Sequence, residues 1–194
     1  MFMAKAKGPT YGVAFRRRRE NRTNYAKRLA LVKSGLPRMV VRSSNKGITV
    51  QFVKFGEKSD STLAGVESRA LKKFGWAPRA NVPTAYLTGL LAATLAKKKG
   101  VKEFVLDLGL ASPVKGSIPF AAQRGAIDCG LASPQGEGIA DEGRMRGAHI
   151  EEYAKKLGEG EYKKMFAAYL KEGFEPKEFT KRFEQAKEAI LKGA

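Results

Sequence analysis

Arg38-Met-Val-Val-Arg-Ser-Ser-Asn-Lys-Gly-Ile-Thr-Val-Gln-Phe-Val-Lys54 sets the frame for the whole chain. Its two arms, Arg38–Arg42 and Ile48–Lys54, are rich in β-branched residues and alternate apolar with polar, the period-two pattern of half-buried strands. The link, Ser43-Ser-Asn-Lys-Gly47, has the small polar residues and glycine of a hairpin tip. Downstream, Thr62–Glu67 reads as a weaker third strand. It leads into a short turn of helix, Ser68–Phe74, closed by Gly75 and Trp76. Asn81 is placed to cap the next helix, about residues 83–99, with Pro83 in its first turn. That helix is apolar nearly all round (Tyr86, Leu87, Leu90, Leu91, Leu95), which predicts a buried central helix. Glu103–Leu108 is a short apolar fourth strand. A strand–helix–strand crossover predicts that it lies parallel to a neighbour. Ser117 is placed to cap a last core helix running to Cys129 and stopped by Gly130. The expected fold class is α/β: a three-strand meander, a helix, a parallel strand and a helix, forming a mixed sheet of ribonuclease-H-like order.

Upstream of the hairpin the chemistry changes. Residues 1–46 hold 13 Lys and Arg against the single acid Glu20, within a chain of formal net charge +18. Residues 100–149 hold five against six, and residues 150–194 ten against nine, so the excess lies in the N-terminal half. Basic residues interleaved with Tyr11, Phe15 and Tyr25 suit phosphate contact combined with base stacking, so the expected partner is nucleic acid. Residues 1–19 read as an extended arm, broken by Gly8-Pro9 and Gly12 and without fixed structure when free. Thr23 is placed to cap a helix reaching Ser34, with Gly35 as its stop. Tyr25, Leu29 and Val32 share one face of it, and Arg22, Lys27, Arg28 and Lys33 occupy much of the rest. Such a helix lies in a groove or along a phosphate ridge. Lys97, Lys98 and Lys99 fit RNA contact and a favourable helix C-terminus equally well. Beyond residue 131 a Gly-, Ser- and Pro-rich loop precedes three helical segments, about 147–157, 160–171 and 176–192. In the last, Phe179, Phe183, Ala186 and Ile190 form an apolar stripe at helical spacing. The division expected is 1–36, a basic arm and helix; 37–131, a mixed α/β core; and 132–194, a loop and helical extension.

Other functions fit poorly. The single cysteine, Cys129, allows no internal disulfide and suits a reducing compartment; it is expected buried and inert. No apolar run reaches membrane-spanning length, and the first residues lack a signal peptide's apolar stretch. Phe2 is out of place before a polar, basic arm, so Met1 and Met3 both read as starts. His149 is alone on a polar helix, and Gly136-Glu-Gly138 is in a loop. A two-metal nuclease on such a sheet needs an acid on the first strand as well as Asp107 and Asp128, and Arg38–Phe55 contains none. Asp107 is therefore expected to fix the turn that follows it. No cofactor and no metal site are expected.

Four blocks carry a resemblance: Arg16-Arg-Arg-Arg-Glu-Asn-Arg-Thr-Asn-Tyr25, Pro37-Arg-Met-Val-Val-Arg-Ser-Ser-Asn-Lys46, Ala85-Tyr-Leu-Thr-Gly-Leu-Leu91 and Leu106-Asp-Leu-Gly-Leu110. In this order they resemble the universal large-subunit ribosomal protein family that binds 5S rRNA, numbered eighteen in bacteria and five in eukaryotes. The basic arm and long tail look archaeal. The resemblance implies a non-enzymatic cytoplasmic protein of the ribosome that holds 5S rRNA and helps dock it to the large-subunit rRNA, beside neighbouring proteins of the central protuberance. It implies RNA-facing roles for Arg16, Arg17, Arg18, Arg19, Arg22, Thr23, Tyr25 and Arg28, and for Arg42, Ser43, Ser44, Asn45 and Lys46 at the hairpin tip. Arg38 and Lys54, at the hairpin's base, and Lys115, in the loop Ala111–Gly116, complete the candidate contacts. Tyr25 either stacks on a base or anchors its helix. A nuclease and a nonribosomal RNA chaperone are the competing readings.

Overall fold

The computed structural model describes residues 8–134 and 141–193. The two candidate starts, Met1 and Met3, and Gly136-Glu-Gly138 lie outside the described residues. A single helical turn, α1 (Arg16–Arg19), and a two-and-a-half-turn helix, α2 (Tyr25–Lys33), precede the sheet. Strands β1 (Arg38–Ser43), β2 (Ile48–Lys54) and β3 (Ser61–Glu67) form the meander, and a 3-10 helix covers Ser68–Phe74. The long helix α3 (Val82–Lys98) crosses to β4 (Val105–Asp107), and α4 (Ile118–Asp128) follows. The sheet order is β3-β2-β1-β4, with β4 parallel to β1 and the other pairs antiparallel. The mixed α/β architecture is thus the one expected.

The period-two pattern separates the sheet's faces. Met39, Val41, Ile48, Val50 and Phe52 are all at most 2% exposed and pack beneath α3, so one face is core. Arg38, Val40 and Arg42 alternate with them on the opposite face, as do Thr49, Gln51 and Val53 from β2. The Asn81 carboxamide accepts from Thr84 N–H at 3.1 Å and starts α3 as its sequence foretold. Helices α3 and α4 meet backbone to backbone. A Cβ built on Gly89 would lie 2.1 Å from the Ala122 carbonyl oxygen, and one on Gly125 2.2 Å from that of Tyr86.

The tail is more broken than the three expected segments. It runs α5 (Glu142–Arg146), α6 (Ala148–Lys156), α7 (Glu159–Met165), α8 (Ala167–Leu170), a 3-10 turn at Pro176–Glu178 and α9 (Phe179–Gly193). The apolar stripe of α9 is buried at all four expected positions. Trp76 lies edge-on to Phe174, Phe179 and Phe183 at ring distances of 5.2, 5.0 and 6.0 Å, and donates its indole N–H to Thr84 Oγ1. The tail therefore packs into the same core as the sheet.

Three local expectations are corrected. Asn24, not Thr23, caps α2: its carboxamide accepts from Lys27 N–H, while the Thr23 hydroxyl is taken by Arg17 Nε at 2.8 Å. The run Arg16–Arg19 is a helical turn rather than extended chain, tied by Arg17 to Thr23 and flanked by the Phe15–Tyr25 ring pair at 5.3 Å. Ser117 occupies the start of α4, but its hydroxyl caps nothing and is buried without a partner.

Candidate nucleic-acid interface

Helix α2 does not cover the outer sheet face with the stripe its sequence suggests. Leu29 is 57% exposed, because the guanidinium of Arg28 turns toward the sheet and binds Asp60 at 2.8 Å. Tyr25 is half-buried against Phe15, so it anchors the arm rather than the domain. Between α2, the outer face of the sheet and the loop after β4 runs a groove of about 720 Å³. Its cations are Arg17, Arg22, Lys27, Arg28, Arg38 and Arg42, and its acids are Asp60 and Asp107.

Those two acids are consumed by the protein itself. Asp107 Oδ2 accepts from Arg38 Nη1 at 3.0 Å, and Asp107 Oδ1 accepts from Arg42 Nη2 at 3.1 Å and from Gly109 N–H at 2.8 Å. Arg38 Nη2 reaches Asp60 Oδ2 at 2.6 Å, which also meets Arg28. The result is a chain of five side chains, Arg42–Asp107–Arg38–Asp60–Arg28, with one positive charge in excess. Charge-assisted bonds of this kind are short and directional, and they fix both end arginines. The register explains the meeting: Arg38 pairs with Val105 and Val40 with Asp107, so one parallel ladder puts acid and guanidinium on one face.

The candidate contacts separate into groups. Arg17, Arg22, Thr23, Arg28 and Arg42 gather at the groove. Arg16, Arg18 and Arg19 lie exposed on the neighbouring turn, and Glu20 pairs with Arg16 and Arg22, each at 3.4 Å. Ser43, Ser44, Asn45 and Lys46 are exposed at the hairpin tip, away from the groove. There the Ser44 hydroxyl is used locally, donating to the Gly47 carbonyl at 3.1 Å, so Ser43, Asn45 and Lys46 are the tip's outward groups. Lys54 and Lys115 are exposed outside both groups. Arg38 is a correction: it is 4% exposed and held by two carboxylates, so it supports the groove from below instead of facing a ligand.

Comparison with known proteins bears on this surface directly. The family described as "Ribosomal large subunit proteins 60S L5, and 50S L18" matches residues 9–104, from the arm through α3. The large ribosomal subunit protein uL18 of Ignicoccus hospitalis is 46% identical over 191 residues, covering 96% of this chain and 94% of the relative. That of Haloarcula marismortui is 48% identical over 190 residues, with 97% of each chain covered. That of Methanothermobacter thermautotrophicus is 43% identical over 187 residues, covering 95% of this chain and 97% of its own. The chain belongs to the uL18 family. Membership makes it a structural, non-enzymatic protein of the large ribosomal subunit, working in translation within the ribosome.

Within this uL18 chain the groups weighed as catalytic are placed elsewhere or spent. Asp128 accepts from the Tyr86 hydroxyl at 2.7 Å and pairs with Arg124 at 3.1 Å, separate from the Asp107 network. Burial, then the bond to Asp128, pushes the Tyr86 phenol up. Cys129 is half-buried, short of the full burial expected, and that burial raises its thiol. His149 is exposed on α6, its pKa lowered by partial burial and then by Arg144. Lys97 donates to the Cys129 carbonyl at 3.2 Å, serving the end of α4. No group of three metal-ligating side chains occurs among the described residues, and none of their helices is long and apolar enough to cross a membrane.

Sequence reasoning missed Gln51, Asp60 and the double role of Asp107. Asp107 carried a signal, as a lone acid on an apolar strand predicted to lie parallel to a neighbour. Asp60 carried none, since it lies in the loop between β2 and β3.

Proposed function

We propose that this uL18-family protein binds 5S rRNA and helps attach it to the large-subunit rRNA in the central protuberance, next to other ribosomal proteins there. The observation that carries the reading is the gathering of Arg17, Arg22, Lys27, Arg28 and Arg42 around one groove whose acids among the described residues, Asp60 and Asp107, are neutralised from within. A groove of that charge draws a polyanion, and its contact with the arm extends the basic track along the RNA backbone. Rigid contacts at the hairpin tip add groups suited to phosphate and 2′-hydroxyl. The near-neutral tail, packed on the core, leaves its outer faces for protein neighbours.

The test is binding of the full chain to 5S rRNA and to a scrambled RNA of equal length, at two salt concentrations. Specific binding predicts tighter association with 5S rRNA at both. Equal affinity for the two RNAs overturns the 5S assignment. Replacing Arg16, Arg18, Arg19 and Arg22 by alanine should flatten the salt dependence by roughly one slope unit for each phosphate that is no longer neutralised. An unchanged slope removes the arm from the interface.

A further inference from the structure

We infer that the groove seats an unpaired nucleotide splayed out of the RNA, with Arg42 as the plate against which its base stacks. This rests on the RNA-binding reading above and assigns one site within it. Much of the Arg42 guanidinium edge is committed within the protein: both Nη1 donors and one on Nη2 are taken, leaving Nε–H and the second Nη2–H. Its Nη1 donates to the carbonyl oxygens of Val41 and Asp107, both at 2.8 Å, and its Nη2 donates to Asp107 Oδ1. Gly109 lies directly beside the guanidinium, where an added Cβ would come within 2.8 Å of Cζ. That glycine has φ +63°, so both its backbone angle and its lack of a side chain let the guanidinium lie flat there. Arg42 is nonetheless 48% exposed in its side chain and lines the groove. With three of its five N–H donors committed and nearly half the side chain exposed, the guanidinium offers its π face, and planar stacking is what arginine does that lysine cannot.

The groove's chemistry fits a base. Leu31, Val40 and Val53 supply apolar lining, which a phosphate chain alone has no use for. Gln51 and Thr62, also lining it, make no side-chain hydrogen bond among the described residues, so an amide and a hydroxyl are free for a base edge. A volume of about 720 Å³ is in the range of small-molecule sites, and a duplex cannot enter it. The cationic rim would hold the flanking phosphates. Sequence-selective RNA recognition takes this form, an unstacked base laid on an aromatic or guanidinium plane.

The test uses the full chain bound to 5S rRNA. Short-wavelength ultraviolet crosslinking with mass spectrometry should place base adducts on peptides containing Leu31, Val40 or Gln51. Arg42→Lys keeps the charge and loses the plane. It should weaken 5S rRNA binding by roughly tenfold, the weight of one stacked base, with an unchanged salt slope. A phosphate contact predicts instead near wild-type affinity in Arg42→Lys, because the ammonium still neutralises the charge. Wild-type affinity in Arg42→Lys, or adducts confined to the arm and hairpin tip while 5S binding stays specific, overturns the proposal. If Arg42→Lys lowers the urea midpoint, Gln51→Leu takes its place, with the same expectation for affinity and slope and the same refutations. Loss of 5S selectivity in the wild type is a different result, which removes the functional reading itself.

Discussion

Replacing Asp107 by asparagine isolates the electrostatics beneath the groove, because the substitution keeps shape and removes charge. The carboxylate is 9% exposed and Arg38 is 5% exposed in its side chain, so their pairing is poorly screened. Two unit charges about 4 Å apart attract by about 4 kcal/mol at an effective dielectric constant near 20. The carboxylate's own desolvation opposes that gain, and asparagine keeps one acceptor for Gly109 N–H or Arg38. Asp60 continues to balance Arg38 at 2.6 Å, so the guanidinium is not left wholly unpaired. The Arg42 arm of the network adds little to stability, since that side chain is half exposed. The expected loss is about 2–3 kcal/mol, at or below the lower end of what breaking a buried ion pair costs. In urea this lowers the unfolding midpoint by roughly 1 M. The loss should persist in high salt, which screens exposed pairs more than buried ones. Arg38→Met combined with Asp107→Asn should cost less than the two single changes added together, because each single change strands a buried group. An unfolding free energy within about 0.5 kcal/mol of wild type for Asp107→Asn, or strict additivity of the pair, would refute the network.

Other consequences are open to direct measurement. Gly89→Ala should destabilise by about 3 kcal/mol or more, since the new Cβ meets the Ala122 carbonyl at 2.1 Å and helix propensity returns only about 1 kcal/mol; an unchanged thermal midpoint would show that the two helices part freely. Glu151 is held at a pKa of about 2 by its bonds to Lys155 and Thr180, against an ordinary 4.5. Its stabilisation is complete above the unfolded value and is lost as pH falls toward 2, so the urea midpoints of wild type and Glu151→Gln should draw together as pH falls from about 5 to about 2; a constant gap contradicts the assignment. Deleting residues 179–193 should abolish the cooperative melt and shift Trp76 emission to the red; a retained melt with unshifted emission would mean that residues 37–131 fold without the tail.

Much of the fold was legible because local signals agreed with one another. Alternation set the hairpin, Asn81 set the start of α3, and the crossover rule made β4 parallel with no knowledge of its partner strand. What failed was competition for the same groups. Thr23 and Asn24 could both cap α2, and the arginine at position 17 decided between them by taking the threonine. The apolar positions of α2 suggested one buried face, but a salt bridge to Asp60, distant in sequence, turned another inward. At the candidate site, counting basic residues located the surface without separating arginines that face out from one that faces in. Arg38 and Arg42 look alike in sequence. Only the β1–β4 pairing shows that Asp107 buries the first and pins the second.

The aromatic box around Trp76 has a meaning in time as well as space. Its walls are Phe174, Phe179 and Phe183, all within the last 21 residues of the chain. During synthesis the sheet and α3 emerge first, and the indole stays uncovered until the final helix leaves the exit tunnel. A chain carrying +18 thus has a period in which a bare apolar surface sits beside a charge that attracts any RNA nearby. Closure of the box by α9 ends that period, so the tail, whose charges nearly balance, is the part that makes the strongly basic N-terminal half safe to release.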